Sequence, residues 1–300
     1  MGSAGQLGHP GLSVPPRKPG AWKEVGIPLA LCAPGLLLLL FVFLVPLART
    51  FALSFETPAG DPTLGNYTKL FGDRFFWELM FRTLKLSAIT TLVTLVLGYA
   101  VAVHFVAAGP RARAYLTLII LAPLMVSVVI RTYGWVIILG PAGLVNNLLQ
   151  ALELTSSPLR ILFTETAVVV GLTHIFLPYM ALAIVSSLQN IDPALARAAR
   201  NLGAGGTTTF LRIVLPLSMP GILAGSLLVF TLSNSAFATP ALLGGSGAQV
   251  LSLLAYQQNL VLLNWNAGSA VGIVLLVVVM TGAMINSRMI ERGRFKGVFR

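Results

Sequence analysis

The chain has 300 residues, of which 56% are hydrophobic and only 10% charged. A water-soluble domain carries roughly 25% charged residues, so this chain lacks the polar groups to cover a water-facing surface, and lipid must be the solvent for most of it. The net charge of +11 does not mark a nucleic-acid binder, because the basic residues form no dense face or stripe but fall in short gaps between apolar runs, the pattern that orients a membrane protein.

Residues 1–22 are rich in Gly and Pro and weak in apolar periodicity, which predicts a disordered cytoplasmic tail. A cleavable signal peptide does not fit, since the first apolar run starts late, is long and lacks a small-residue cleavage site. Six apolar stretches follow: Ile27 to Phe51, Leu84 to Val106, Tyr115 to Leu139, Thr164 to Leu188, Met219 to Ala238 and Ala267 to Asn286. Each is long enough to cross about 30 Å of hydrocarbon as a helix, and a helix satisfies its own backbone groups there. A β-barrel would instead show short alternating segments. The expected fold is therefore all-α, a six-helix membrane domain over residues 23–290 followed by a basic cytoplasmic tail at 291–300. The single cysteine, Cys32, lies in the first run and supports neither a disulfide framework nor a thiolate metal site. His9, His104 and His174 have no metal-ligand spacing.

One set of gaps holds Arg17, Lys18 and Lys23, then Arg111 and Arg113, then Arg197, Arg200 and Arg212, then Arg288, Arg292, Arg294, Lys296 and Arg300. The acids in that set are Glu24, Asp192 and Glu291, whereas the opposite gaps hold nearly as many acids as bases. The basic set is expected to be cytoplasmic. Both termini are then inside, as an even number of crossings requires. The segments expected outside, 54–83, 140–163 and 239–266, are substantial. Trp77, Trp135 and Trp265 stand near outer ends of apolar runs, where an aromatic belt and ligand stacking are both open readings.

The segment between the fourth and fifth runs reads NIDPALARAARNLGAGGTTTFLRIVLPLSMPGI from Asn190. Asp192 suits an N-cap and Pro193 the first helical position. Ala194 to Leu202 then predicts a short helix that Gly203 stops. Leu195, Ala198, Ala199 and Leu202 share one face. Beyond it, Leu215-Pro216 and Pro220-Gly221 predict a bend before the chain re-enters the membrane.

At these residues the sequence resembles the permease subunits of bacterial ABC importers. Their motif reads E-A-A, three residues, G, about nine residues, I, one residue, L-P. Ala198, Ala199, Gly203, Ile213, Leu215 and Pro216 match it, and Arg197 stands where the family has Glu. Three further stretches resemble the spermidine/putrescine-type permeases: Arg131-Thr132-Tyr133-Gly134-Trp135 with Gly143-Leu144-Val145-Asn146, then Leu177-Pro178-Tyr179, which is expected to break the fourth span, and Phe237 to Gly245. The likeness covers roughly residues 27–290.

The resemblance implies the transmembrane domain of a type I ABC importer in a bacterial inner membrane, half of a pathway for a small organic solute, with a polyamine first. The implied partners are a second homologous permease, two ATPase subunits and an extracytoplasmic solute-binding protein. It also implies that loop 189–216 docks on the ATPase through Asp192, Arg197, Ala198, Ala199, Gly203, Leu215 and Pro216. The alternatives are a secondary transporter, or an ABC permease for another small solute such as an amino-acid derivative or an organophosphonate.

The residues themselves add four candidates for the pathway. Arg131 is a charge inside a span, functional by default unless it snorkels to the outer interface. Tyr133 follows it. His174 is mid-span, either lining the path or bonded to a carbonyl freed by Pro178. Asn234 is either helix–helix glue or a pathway group. No acid lies deep in any span, which speaks against a proton relay. No P-loop of the form G-x-x-x-x-G-K-[ST] occurs, so ATP and Mg are expected in the partner ATPase and no cofactor in this chain. No catalytic or zinc-ligand constellation is visible, and the chain is expected not to be an enzyme.

Overall fold

A computed structural model describes residues 21–292. The expected tails, 1–22 and 291–300, lie outside the described residues except at their inner ends, where helices begin at Ala21 and finish at Arg292. The chain divides between Arg49 and Thr50 into two units. The first, over its described part, is the bulk of α1 (Ala21–Ser54), apolar enough from Cys32 onward to cross a bilayer.

The second unit carries the end of α1, then α2 (Gly65–Gly72), α3 (Arg74–Ala107), α4 (Pro110–Met125), α5 (Val128–Leu139), α6 (Leu144–Ala151), α7 (Glu165–Gln189), α8 (Pro193–Asn201), α9 (Gly206–Thr209), α10 (Leu215–Ser235), α11 (Leu251–Tyr256) and α12 (Trp265–Arg292). Among the described residues the only β pairing is an isolated bridge between Glu56 and Pro62. Among the described residues, six segments are long and apolar enough to span a membrane.

The centre of this unit is α7, with 61% of its apolar window buried against 33% for α3. α3 and α10 pack on it through missing side chains. A Cβ on Gly98 would sit 2.9 Å from Met180 Cγ, and one on Gly225 would sit 2.7 Å from Met180 Sδ. Met180 is fully buried, wedged between those two notches. One turn earlier, a Cβ on Gly221 would lie 2.6 Å from the Ala183 carbonyl oxygen and 2.5 Å from Ser187 Cβ. Lipid gives no hydrophobic drive for helices to associate, so close backbone approach and dispersion contacts must hold them. A second cluster joins Phe76 and Leu79 of α3 to Leu251 of α11 and Val271 of α12. There Thr83 Oγ1 accepts from the Leu251 N–H at 2.9 Å.

The structure corrects three expectations. α3 starts at Arg74, ten residues before Leu84: Asp73 caps it, accepting from the Phe75 N–H at 2.9 Å, and its first turns bury Phe76 and Leu79. The expected third span, Tyr115 to Leu139, is two helices separated at Val126 and Ser127, and the third long apolar segment is Val128–Ala151. Pro123 inside α4 weakens the last turn there by removing a donor, and Ser127 is extended. Pro178 does not break α7, which runs unbroken from Glu165 to Gln189, packed between α3 and α10. Leu215-Pro216 and Pro220-Gly221 do not interrupt the chain's helical course, since Gly206–Ser235 forms one 30-residue helical segment. A π turn at Phe210–Val214 widens the backbone just where the Pro216 ring would meet the preceding turn.

Candidate functional site

Two sets of residues were singled out by sequence, and the structure keeps them apart. The first is the loop between α7 and α10. Asp192 has the extended backbone of an N-cap, and its carboxylate accepts from the Ala194 N–H at 2.8 Å. Pro193 opens α8, where its missing N–H costs nothing. At the other end Gly203 has φ +83°. The Gly203 N–H donates to the Arg200 carbonyl at 2.9 Å and the Ala204 N–H to the Ala199 carbonyl at 3.0 Å. That pair of bonds is a Schellman cap, which needs a left-handed residue at this position. A Cβ on Gly203 would meet nothing within 4 Å, so the glycine is required by conformation and not by space.

No residue of α8 is buried. Leu195 is 47% exposed and Leu202 is 88% exposed, so the apolar side of this short helix has no cover among the described residues. Ala198 and Arg197 are exposed and Ala199 half-buried. Leu215 and Pro216 lie farther on, in the first turn of α10, with Leu215 packed on the central core. A capped helix thus stands just ahead of the 30-residue segment that is long and apolar enough to span a membrane.

The second set lies in the spans. Arg131 sits in the first turn of α5, and its Nη2 donates to the Val126 carbonyl at 2.8 Å. This carbonyl is one that the break between α4 and α5 leaves without a helical partner. The side chain therefore turns back toward the break, away from the α5 end at Leu139. Its Nε and Nη1 are shielded and have no acceptor among the described residues. His174 of α7 does not bond a carbonyl freed by Pro178. Its Nδ1 accepts from Trp135 Nε1 at 3.2 Å, which fixes the proton on Nε2. Trp135 and His174 stack edge-on with centroids 5.6 Å apart. His174 also borders an apolar cavity of about 250 Å³ with Pro123, Leu177 and Pro178. Arg131, Trp135 and His174 thus form one polar group where α5 meets α7.

Tyr133 and Asn234 are not part of it. Tyr133 is 53% exposed on another side of α5. Asn234 is fully buried; its Nδ2 donates to the Phe230 carbonyl at 2.8 Å, and its Oδ1 has no partner.

Sequence reasoning missed the ion cluster at the start of α7. Glu165 faces Lys85 at 2.5 Å and Arg82 at 3.5 Å, both from α3. Arg82 and Lys85 one turn apart, just ahead of an apolar run, were the available signal, since two such cations on one helix face call for an acid. Thr132 and Thr239 also pair unforeseen, at 3.3 Å between hydroxyls, joining α5 to the turn after α10.

Residues 94–296 match the family described as binding-protein-dependent transport system inner membrane component. The spermidine/putrescine transport system permease protein PotB of Haemophilus influenzae is 36% identical over 245 residues, 80% of this chain and 85% of that protein. PotB of Escherichia coli is 38% identical over 216 residues, 72% of this chain and 78% of that one. Among solved structures, that of a bacterial ABC transporter involved in the import of the acidic polysaccharide alginate aligns with TM-score 0.79 at 21% identity, covering 91% of this chain and 98% of its counterpart.

Proposed function

The chain belongs to the family of binding-protein-dependent transport system inner membrane components, a multi-pass permease subunit of an ABC importer and not an enzyme, and on that premise we propose that it forms half of an importer pathway for polyamines of the spermidine/putrescine class. The observation that carries the solute is the likeness to the two PotB proteins, 36% and 38% identical over most of this chain.

The second half of the pathway is a homologous permease. Two ATPase subunits, holding ATP and Mg, dock on α8, and an extracytoplasmic binding protein delivers the solute from the opposite side. Both termini are cytoplasmic, as the distribution of Lys and Arg requires. The geometry of α8 supports this reading. Its uncovered Leu195 and Leu202 offer the apolar surface an ATPase cleft would close over, and its caps keep it rigid enough to transmit force. Arg197, in place of the family's Glu, presents a cation to that cleft and calls for an acidic group on the ATPase.

The test is uptake of radiolabelled putrescine and spermidine by proteoliposomes holding all four component types. ATP-dependent uptake of either supports the assignment. Uptake of an anionic solute with no polyamine uptake refutes it. Cysteine labelling at position 205, in a Cys32-free background, checks orientation: a label accepted only from the cytoplasmic side is expected.

A further inference from the structure

We propose that ordered water is bound inside the chain where α3, α7 and α10 meet, held by Thr90, Thr173, Ser233 and Asn234.

On these three helices, four side chains have a shielded polar atom with no hydrogen-bond partner among the described residues: Thr90 Oγ1, Thr173 Oγ1, Ser233 Oγ and Asn234 Oδ1. All four residues are more than nine-tenths buried, at 0%, 7%, 5% and 0% exposure. The packing contacts set them at one height. α3 and α7 run the same way, since Lys85 faces Glu165 and Gly98 faces Met180. Thr90 lies eight residues before Gly98 and Thr173 seven before Met180, each about 10–12 Å from that notch at 1.5 Å per residue. α10 runs the opposite way, with Gly221 against Ser187 and Gly225 against Met180, and Ser233 lies eight residues after Gly225. Three mutually packed helices thus bring one unbonded hydroxyl each to the same height, and Asn234 adds an amide oxygen. Thr173, two turns before Met180, shares its face, the one turned to both Gly98 and Gly225.

A polar atom left bare in hydrocarbon is costly, and four at one height call for a shared occupant. Its class follows from the surroundings. A hydroxyl both donates and accepts, whereas Asn234 Oδ1 only accepts, so the occupant must do both. No Asp, Glu, Lys or Arg lies within four residues of any of the four along its helix, so a metal cation or an ammonium group would be an unbalanced charge in low dielectric. The four atoms are sealed inside the chain, which keeps out a lipid headgroup, a solute and a side chain of a second subunit. Water is small and neutral, donates and accepts, and bridges polar groups that do not bond one another directly. Such water ties α3, α7 and α10 together by bonds that can re-form as the helices shift, beyond the fixed glycine contacts at Met180.

The test uses the importer purified with its partners and turns on a sign. Thr90→Val, Thr173→Val and Ser233→Ala each remove a hydroxyl with little change of shape. With water bound, each strips a partner from it and should lower the thermal midpoint by about 2–4 °C, while Thr90→Ser, which keeps the hydroxyl, retains most of the wild-type value. The triple variant should lose less than the three shifts together, because no hydroxyl then needs the water. Cryo-electron microscopy at a resolution that shows ordered water should reveal density among the three helices, and its absence overturns the proposal. Single variants as stable as wild type or more so also overturn it, since a dry layer gains when a bare hydroxyl becomes a methyl. Strictly additive losses overturn it by placing each hydroxyl on a carbonyl of its own helix. A wild-type midpoint raised by Na+ or K+ over choline, with the effect lost in Thr173→Val, assigns a cation to the site and overturns water.

Discussion

Replacing Gly221 with alanine tests the packing of α10 on α7. Alanine is the better helix former by about 1 kcal/mol, so a glycine-to-alanine change in an open helix position should stabilise. Gly272 of α12 is such a position, with nothing within 4 Å of an added Cβ. At Gly221 the added methyl would lie 2.5 Å from Ser187 Cβ, 2.6 Å from the Ala183 carbonyl oxygen and 3.1 Å from Ile184 Cα, where ordinary contact begins near 3.4 Å. Two of these three atoms belong to the α7 backbone and cannot rotate aside. The helices must separate by most of an ångström along their closest line, and overpacking of this kind costs about 1–3 kcal/mol. Clash therefore outweighs propensity. In detergent, Gly221→Ala should show an earlier thermal unfolding transition than wild type, and Gly272→Ala an equal or later one. A Gly221→Ala protein as stable as Gly272→Ala would mean that α7 and α10 do not meet as described.

Gly203→Val should insert normally but lose ATPase-coupled transport, because a β-branched residue at φ +83° is strained by about 1–3 kcal/mol; Gly203→Asn, which tolerates the left-handed region, should keep most of it. Ala199→Glu should leave the thermal stability of the isolated chain unchanged, since no residue of α8 is buried, yet abolish co-purification of the ATPase. Asn146 is fully buried, donates to the Gly140 and Leu159 carbonyls at 3.0 and 3.1 Å and accepts from the Leu159 N–H at 2.7 Å. The Gly140 and Leu159 carbonyls keep the Gly143 and Ile161 N–H donors, but Asn146→Ala leaves the buried Leu159 N–H unpaired at about 1–3 kcal/mol, so limited proteolysis within 140–163 should accelerate relative to wild type.

The spans were legible because their signal is local: apolar length is a property of each segment alone. So were the caps of α8, since Asp192, Pro193 and Gly203 act within one turn of their own position. What failed was decided elsewhere in the chain. Pro178 and Pro216 read as breakers by their own chemistry, but α7 stays continuous between neighbours far away in sequence and Pro216 follows a π turn that leaves no compositional mark. The partner of His174 was sought four residues along its own helix and lies in Trp135, which only the fold brings near. Arg131 was visible as a charge in an apolar run, but the direction of its side chain depends on the break at Val126 and Ser127, which Pro123 hints at without placing.

The helical segment Gly206–Ser235 has 30 residues, about 45 Å at 1.5 Å per residue, and begins just beyond the cap of α8. Where it moves as one body, such a segment acts as a lever arm. A tilt of about 5° imposed at its foot carries its far end sideways by roughly 4 Å, comparable to the width of a small solute. The glycine notches that clasp Met180, and the contact at Gly221, forbid α10 from sliding along α7. Any swing started at the foot is thus shared by α3 and α7 as well, and the turn after Ser235, together with the threonine pair that holds α5, is where the three must take up the slack.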